Sequence, residues 1–289
     1  MTSATVHAKL TLSLRIVGTL PDGYHELDAL TVSIGQPRDT LTVDLAHEGV
    51  SLTLTAAEPD DVPPGPDNLA VRAVDAALRA AGVQQGVALT LRKGIPAGAG
   101  LGGGSADAAA ALLATREALA LDLDDAALLA LAKELGADVP FCLAGGAAWM
   151  RGRGEHLLPV APILGLPLLV AVPPFRLSTP AVYRAWDELG GPQSTRAVPA
   201  PAPAADLLPT LHNDLEPAAE HLEPRLREFR DRLEAAAGRP ALLAGSGSAY
   251  VVPLDDAAGL PRVAARVEEQ IQNPVMASAT VSRGVRLEP

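Results

Sequence analysis

Pro96-Ala97-Gly98-Ala99-Gly100-Leu101-Gly102-Gly103-Gly104-Ser105-Ala106-Asp107-Ala108-Ala109 sets five glycines within seven residues directly ahead of an unbroken Ala/Leu helical segment. Glycine permits positive φ and leaves no Cβ between main-chain N–H groups and a ligand, while the helix that follows offers unpaired N–H groups and the positive end of its dipole. The stretch therefore reads as an anion site suited to phosphate. A Walker A loop needs Gly-Lys-Ser/Thr at its end, and here the glycines give way to Ser105-Ala106-Asp107. Gly98, Gly100 and Gly103 match G-x-G-x-x-G, but a dinucleotide fold wants an acidic residue closing a second parallel strand about 20 residues on. Asp122, Asp124 and Asp125 lie between two helical segments instead. A glycine-rich turn with no ligand is the remaining alternative. On the phosphate reading, a side chain at Gly103 would stand between the amides and the phosphates.

Outward from this loop, 289 residues suffice for two domains, and 48% hydrophobic with 20% charged residues is an ordinary globular composition. No apolar run reaches the length of a membrane span, and Met1-Thr2-Ser3-Ala4-Thr5 lacks the basic-then-apolar design of a signal peptide, so a cytoplasmic protein with no membrane partner is the expectation. The single Cys142 sits among Pro140, Phe141 and Leu143, which suits a buried thiol without a role. A net charge of -11 argues against nucleic acid as a partner and repels anions globally, so anionic substrates must be held locally. Lys9, Lys93, Arg151 and Arg153 are the candidate cations.

Val6 to Ile16 alternates strictly between apolar and polar residues, which predicts a half-buried strand presenting Lys9 and Thr11 on its polar face. Shorter alternating runs follow at Leu30 to Ile34, Leu41 to Leu45 and Val50 to Leu54, then a helix from about Asn68 to Ala81 and a strand Val87 to Leu91 that feeds Lys93 and the glycine loop. The loop helix should run from about Ser105 to Leu121, and another from about Asp125 to Gly136. In Gly136-Ala137-Asp138-Val139-Pro140 the proline should push Val139 out of the helical region, fixing Asp138 at a junction, where a helix cap is its ordinary explanation. After a strand near Ala147 to Met150, the pattern from Leu166 onward reads strand, two helices, strand, strand, helix, strand, a split βαβ order of ferredoxin-like type. Gly190 to Pro209 is too proline-rich for a helix and reads as a mobile loop. Gly245-Ser246-Gly247-Ser248 links two strands as a hairpin or a further phosphate contact.

Three separated segments resemble the motifs of the GHMP small-molecule kinases: Ala8-Lys9-Leu10 with Asp22-Gly23-Tyr24-His25-Glu26-Leu27, then Pro96 to Ser105, then Leu243 to Ser248. The Gly-Tyr-His element, Leu135 to Pro140 and Asn213-Asp214-Leu215-Glu216 resemble the branch serving non-mevalonate isoprenoid synthesis, whose acceptor is a cytidine-diphosphate-linked polyol. The resemblance implies an α+β, two-domain GHMP kinase fold, with a ribosomal-protein-S5-like ATP-binding domain over 1–160 and a ferredoxin-like domain over 161–289. It implies ATP and Mg²⁺ as cofactors, and a monomer or homodimer.

Carried over residue by residue, the pattern makes Asp138 the catalytic carboxylate and Lys9 its partner, with Pro96 to Asp107 cradling the ATP phosphates and Ser105 or Asp107 contacting the metal. Asn68, Lys93 and Thr179 match positions near adenine or ribose. Tyr24, His25 and Tyr183 match positions that hold cytosine, and Gly245, Ser246 and Gly247 belong to the substrate side. Thr11 stands where the family commonly has asparagine, and Arg153 where some members have an apolar residue, so their roles stay open. Another GHMP kinase, acting on homoserine, mevalonate or a sugar, and a nucleotide sensor without catalysis are the competing readings. A cytosine grip discriminates against the former, and retention of Lys9 with Asp138 against the latter.

Overall fold

The computed structural model describes residues 1–55, 62–161, 163–191 and 211–288. The stretch from Gly190 to Pro209 lies almost wholly outside them. Two long antiparallel strands form the spine, β1 (Thr2–Thr19) and β2 (His25–Ala46), in register from Thr2 opposite Val43 to Thr19 opposite His25. The runs at Leu30 and Leu41 are therefore one strand of 22 residues, continuous through a register irregularity opposite His7 and Ala8. Such a bulge bends a strand without ending it.

Because β2 is so long, it serves four neighbours. Its C-terminal half pairs with β4 (Gly86–Arg92), to which β3 (Val50–Thr55) adds in parallel, and its N-terminal half pairs with β5 (Ala147–Gly152), followed by β6 (His156–Pro159). Against this sheet lie α1 (Leu69–Ala81), α2 (Gly103–Ala118), α3 (Asp125–Leu135) and the short α4 (Val139–Ala144). The α2 helix is the hub. Ala106, Ala108, Ala109, Ala110, Ala111 and Ala114 are all fully buried, so it is covered nearly all round, and its small side chains let strand and helices approach closely. Two boundaries of the sequence reading move. The loop helix begins at Gly103 and ends at Ala118, and Val139 is not expelled from helix but opens α4, with Pro140 in a first turn whose N–H needs no partner.

The second half places β7 (Pro167–Ala171), α5 (Thr179–Glu188), β8 (His212–Asn213), α6 (Glu216–Leu222), α7 (Arg225–Ala237), β9 (Leu242–Leu243), β10 (Tyr250–Pro253), α8 (Leu260–Ile271), β11 (Val275–Val281) and β12 (Val285–Leu287) in chain order. Its strands stand in the order β11-β7-β10-β9, with every pair antiparallel. The end of β11 also pairs with β2, β12 pairs with β1, and β8 lies parallel to β1. The polar face of β1 is covered by turns that lie over it, with Gly102 and Gly245 against the Lys9 side chain and His212 beside Ser13. Lys9, Thr11 and Ser13 are all buried, so the strand expected to be half-buried is enclosed on both faces.

Candidate active site

A cavity of about 1150 Å³ opens between the glycine turn, the buried face of β1 and the start of α5. Gly98, Gly100 and Gly102 all have positive φ. At Gly100 there is a second requirement, since a Cβ would meet the Ala244 carbonyl oxygen directly. The turn thus packs backbone to backbone on the 244–248 turn, fastened by the Ala249 amide donating to the Ala99 carbonyl at 3.1 Å. The first intrahelical bond of α2 runs from the Ala106 amide to the Gly102 carbonyl, leaving the amides of Gly103, Gly104 and Ser105 without helical acceptors. With neither a side-chain cap nor an acidic residue in the first turn, this end is arranged for an external anion.

Beneath the turn, the Lys9 amide donates to the Leu101 carbonyl at 3.1 Å, which fixes β1 against the loop. The Lys9 stem lies so close to Gly102 that a Cβ there would sit 2.6 Å from its Cγ. Its ammonium reaches Asp138 at 3.3 Å. Asp138 occupies the N-cap position of α4 but has helical dihedrals and makes no capping bond, so the cap explanation does not hold. The carboxylate is instead held beside a cation at the cavity floor. Cys142, one turn on, is buried, and burial pushes its thiol well up, with Asp138 adding to the rise. That keeps it protonated and inert.

Lys93 lines the cavity and is tied to two carboxylates. Its ammonium bridges Asp39 at 2.5 Å and Asp107 at 2.7 Å, and Asp39 also accepts from the amides of Gly94 and Ile95 at 2.6 and 2.8 Å. Burial pulls the Lys93 ammonium down, but Asp107 and Asp39 outweigh it and hold it above the ordinary lysine range. Burial raises the Asp107 carboxyl well above its usual range despite Lys93, and Asp39 adds to the rise. Lys93 is thus an internal tie between β2, β4 and α2 that lines the cavity, and Asp39 is a residue that sequence reasoning missed. Asn68 is likewise committed: it caps α1 through the Ala70 amide and donates to the Pro63 carbonyl.

At the opposite end, His25 donates from Nε2 to Asp187 Oδ1 at 2.8 Å, lies 4.9 Å from the Tyr183 ring and meets Trp186 edge-on at 5.2 Å. The assignment of the donor follows from the carboxylate, which only accepts when ionised. Burial pushes the Tyr183 hydroxyl up, so it stays protonated. Tyr24 is exposed, and Arg153, paired with Asp22, lies 4.2 Å over its ring. Arg153 is therefore a clamp on Tyr24 at the rim. Thr179 and Ser246 share a hydrogen bond at 2.7 Å across the cavity wall.

Every site residue carried over from the resemblance lines the cavity except Leu101, Ala106 and Gly247. Leu101 and Ala106 are core residues, and the Gly247 amide closes its own turn onto the Ala244 carbonyl. A Cβ at Gly103 would meet Ile95 Cγ2 at 3.1 Å and Lys93 Nζ at 3.3 Å. Arg151 is excluded as an anion holder: it does not line the cavity and pairs with Asp28 at 3.1 Å. Asn213 and Asp214 act from behind. Asn213 donates to the carbonyls of Leu243 and Gly245, holding the 244–248 turn, and Asp214 accepts from the Ile16 amide of β1.

Residues 68–146 match the model of the GHMP kinases N terminal domain. The homoserine kinase of Cytophaga hutchinsonii has the same fold, with a TM-score of 0.71 over 99% of this chain and 97% of that one at 19% identity. The glycine turn, the helix it opens and the Lys–Asp pair thus belong to a small-molecule kinase of GHMP fold. A 4-diphosphocytidyl-2-C-methyl-D-erythritol kinase of Pelotomaculum thermopropionicum is 41% identical over 93% of this chain and 96% of its own length. A crystal structure of 4-(cytidine 5'-diphospho)-2C-methyl-D-erythritol kinase superposes with a TM-score of 0.79 at 36% identity, covering 96% of this chain and 98% of that one. The chain belongs to the 4-diphosphocytidyl-2-C-methyl-D-erythritol kinase family.

Proposed function

We propose that this protein transfers the γ-phosphoryl group of ATP to the 2-hydroxyl of 4-diphosphocytidyl-2-C-methyl-D-erythritol. The observation that carries the reading is one cavity holding a ligand-ready helix N-terminus at one end, the aromatic His25 cluster at the other and the Lys9–Asp138 pair between them. Asp138 accepts the proton of the attacking hydroxyl, or orients it. Lys9 stabilises the charge that develops on the alkoxide and the transferring group. The amides at the start of α2 receive phosphate oxygens.

Mg²⁺ fits this site, since Asp107 Oδ1 is buried without a partner and Ser105, two residues earlier on α2, lines the same cavity. Among the described residues no three acidic, histidine or cysteine side chains gather to hold a metal, as suits an ion that takes few protein ligands and the rest from phosphate and water. Ser105 and Asp107 would hold it, and it would supply neutralisation of phosphate charge. The architecture behind the site is a ribosomal-protein-S5-like unit over 1–160 and a ferredoxin-like unit over 161–289, the latter supported by the β11-β7-β10-β9 order. The last strand, β12, crosses back to β1.

Specificity for cytosine follows from Asp187. By accepting from His25 Nε2, it leaves Nδ1 as the acceptor of the neutral ring, able to take a bond from the cytosine amino group but not from the carbonyl that uracil has there. The test is ADP release with Mg-ATP and a panel of acceptors. The cytidine-linked polyol alone should give rapid turnover, and homoserine or mevalonate turnover at a similar rate would overturn the reading.

A further inference from the structure

Thr31 is fully buried, lines the cavity, and its Oγ1 has no hydrogen-bond partner within the protein. In the β1–β2 register it stands directly opposite Thr11, which is two residues beyond Lys9 on the same strand. Residues two apart on a strand share a face, and directly opposed residues are side-chain neighbours. Lys9, Thr11 and Thr31 therefore form one patch, with Asp138 held to it through Lys9.

The direction of β2 says which ligand meets this patch. His25, Leu27, Ala29 and Thr31, at alternate positions, all line the cavity, so one strand face runs from the base cluster to the reacting pair. An extended cytidine-diphosphate-linked polyol laid along it has its base at His25 and its hydroxyls at Thr31, whereas the glycine turn belongs to the other phosphate chain. A buried hydroxyl without a partner weakens a fold, and a ligand hydroxyl is the chemistry that satisfies it.

We propose that Thr31 is a substrate-contact residue whose hydroxyl binds a hydroxyl of the polyol acceptor beside Lys9, with Thr11 as its cross-strand companion. This rests on the acceptor assigned above. Thr31→Val keeps the shape and removes the hydroxyl. It should raise KM for the acceptor about tenfold, leave KM for ATP within about twofold, and leave Tm unchanged or higher, because the unpaired group is gone. Thr31→Ser, which keeps a hydroxyl, should recover most of the loss. An unchanged acceptor KM in Thr31→Val, with the parent turning over normally, overturns this inference alone. Equal losses in the valine and serine variants also overturn it, since they would trace the effect to packing of the methyl group. A parent that releases no ADP with this acceptor overturns the substrate assignment and this inference together.

Discussion

Single residues divide into those whose duty is written in their neighbours and those whose partners arrive from far away. Asp138 looks like a cap from its neighbours, but it makes no capping bond and lies 3.3 Å from Lys9, which is the geometry the proposed role needs. Asp138→Asn should therefore lower kcat by at least about a hundredfold while ATP affinity, measured by calorimetry, stays within a few-fold, the pattern of a group used in the transition state. Near-normal turnover would return it to a structural role. Asp187 and Asp39 carry no local signal at all. They sit 162 and 54 residues from the His25 and Lys93 side chains they fix. Asp187→Ala should erode the preference of the site for a cytidine diphosphate fragment over its uridine counterpart in competition assays, without weakening ATP. Retention of the full preference would show that the tautomer of His25 is set by something else.

At the scale of elements, the glycine turn was legible as a strained turn opening an uncapped helix, because positive φ and an uncapped helix start are local properties. How much room each glycine has was not legible, since that depends on what packs behind it. Gly103 faces Ile95 and Lys93, whereas Gly104 is exposed, has no positive φ and would set a side chain in ordinary contact with Leu69. Gly104→Val should thus weaken nucleotide binding by about tenfold or more in a folded protein, while Gly103→Val should mainly lower Tm. Asp39→Asn cuts the tie that joins β2, β4 and α2 under the same turn. It should destabilise the fold by on the order of 3 kcal/mol, the scale of a broken buried ion pair, and a denaturant midpoint equal to that of the parent would dismiss the tie.

For the whole molecule, the second half also carries a buried cluster remote from the cavity. Glu216 and Glu220 share Arg230, and Glu220 lies 3.4 Å from the Tyr250 hydroxyl. Burial raises the Glu216 carboxyl from 4.5 to about 7, against the pull of Arg230 and helped by Glu220. The folded protein thus keeps a proton there that the unfolded chain has lost above its ordinary value. This contribution to stability is full below about pH 4.5 and fades as pH rises through about 7. Glu216→Gln should flatten the fall of Tm between those limits relative to the parent, and parallel Tm curves would show that Glu216 titrates alike in both states.

Alternation, helix stops and the glycine run were determined by the sequence alone, because each is a matter of dihedral preference and side-chain period over a few residues. They set the strands at Val6, Val50 and Val87, the helices near Asn68 and Asp125, and the phosphate-ready turn. Long-range closure decided the rest. Only when the glycine turn and the 244–248 turn fold over β1 is its polar face buried, which turns Lys9 from a strand residue into a charge that needs Asp138. Likewise Asp39 meets Lys93 only when β2, β4 and α2 assemble, and Asp187 meets His25 only when α5 packs beside β2. Burial and pairing are properties of the assembled fold, and a charge has no fixed partner until the low-dielectric interior around it exists.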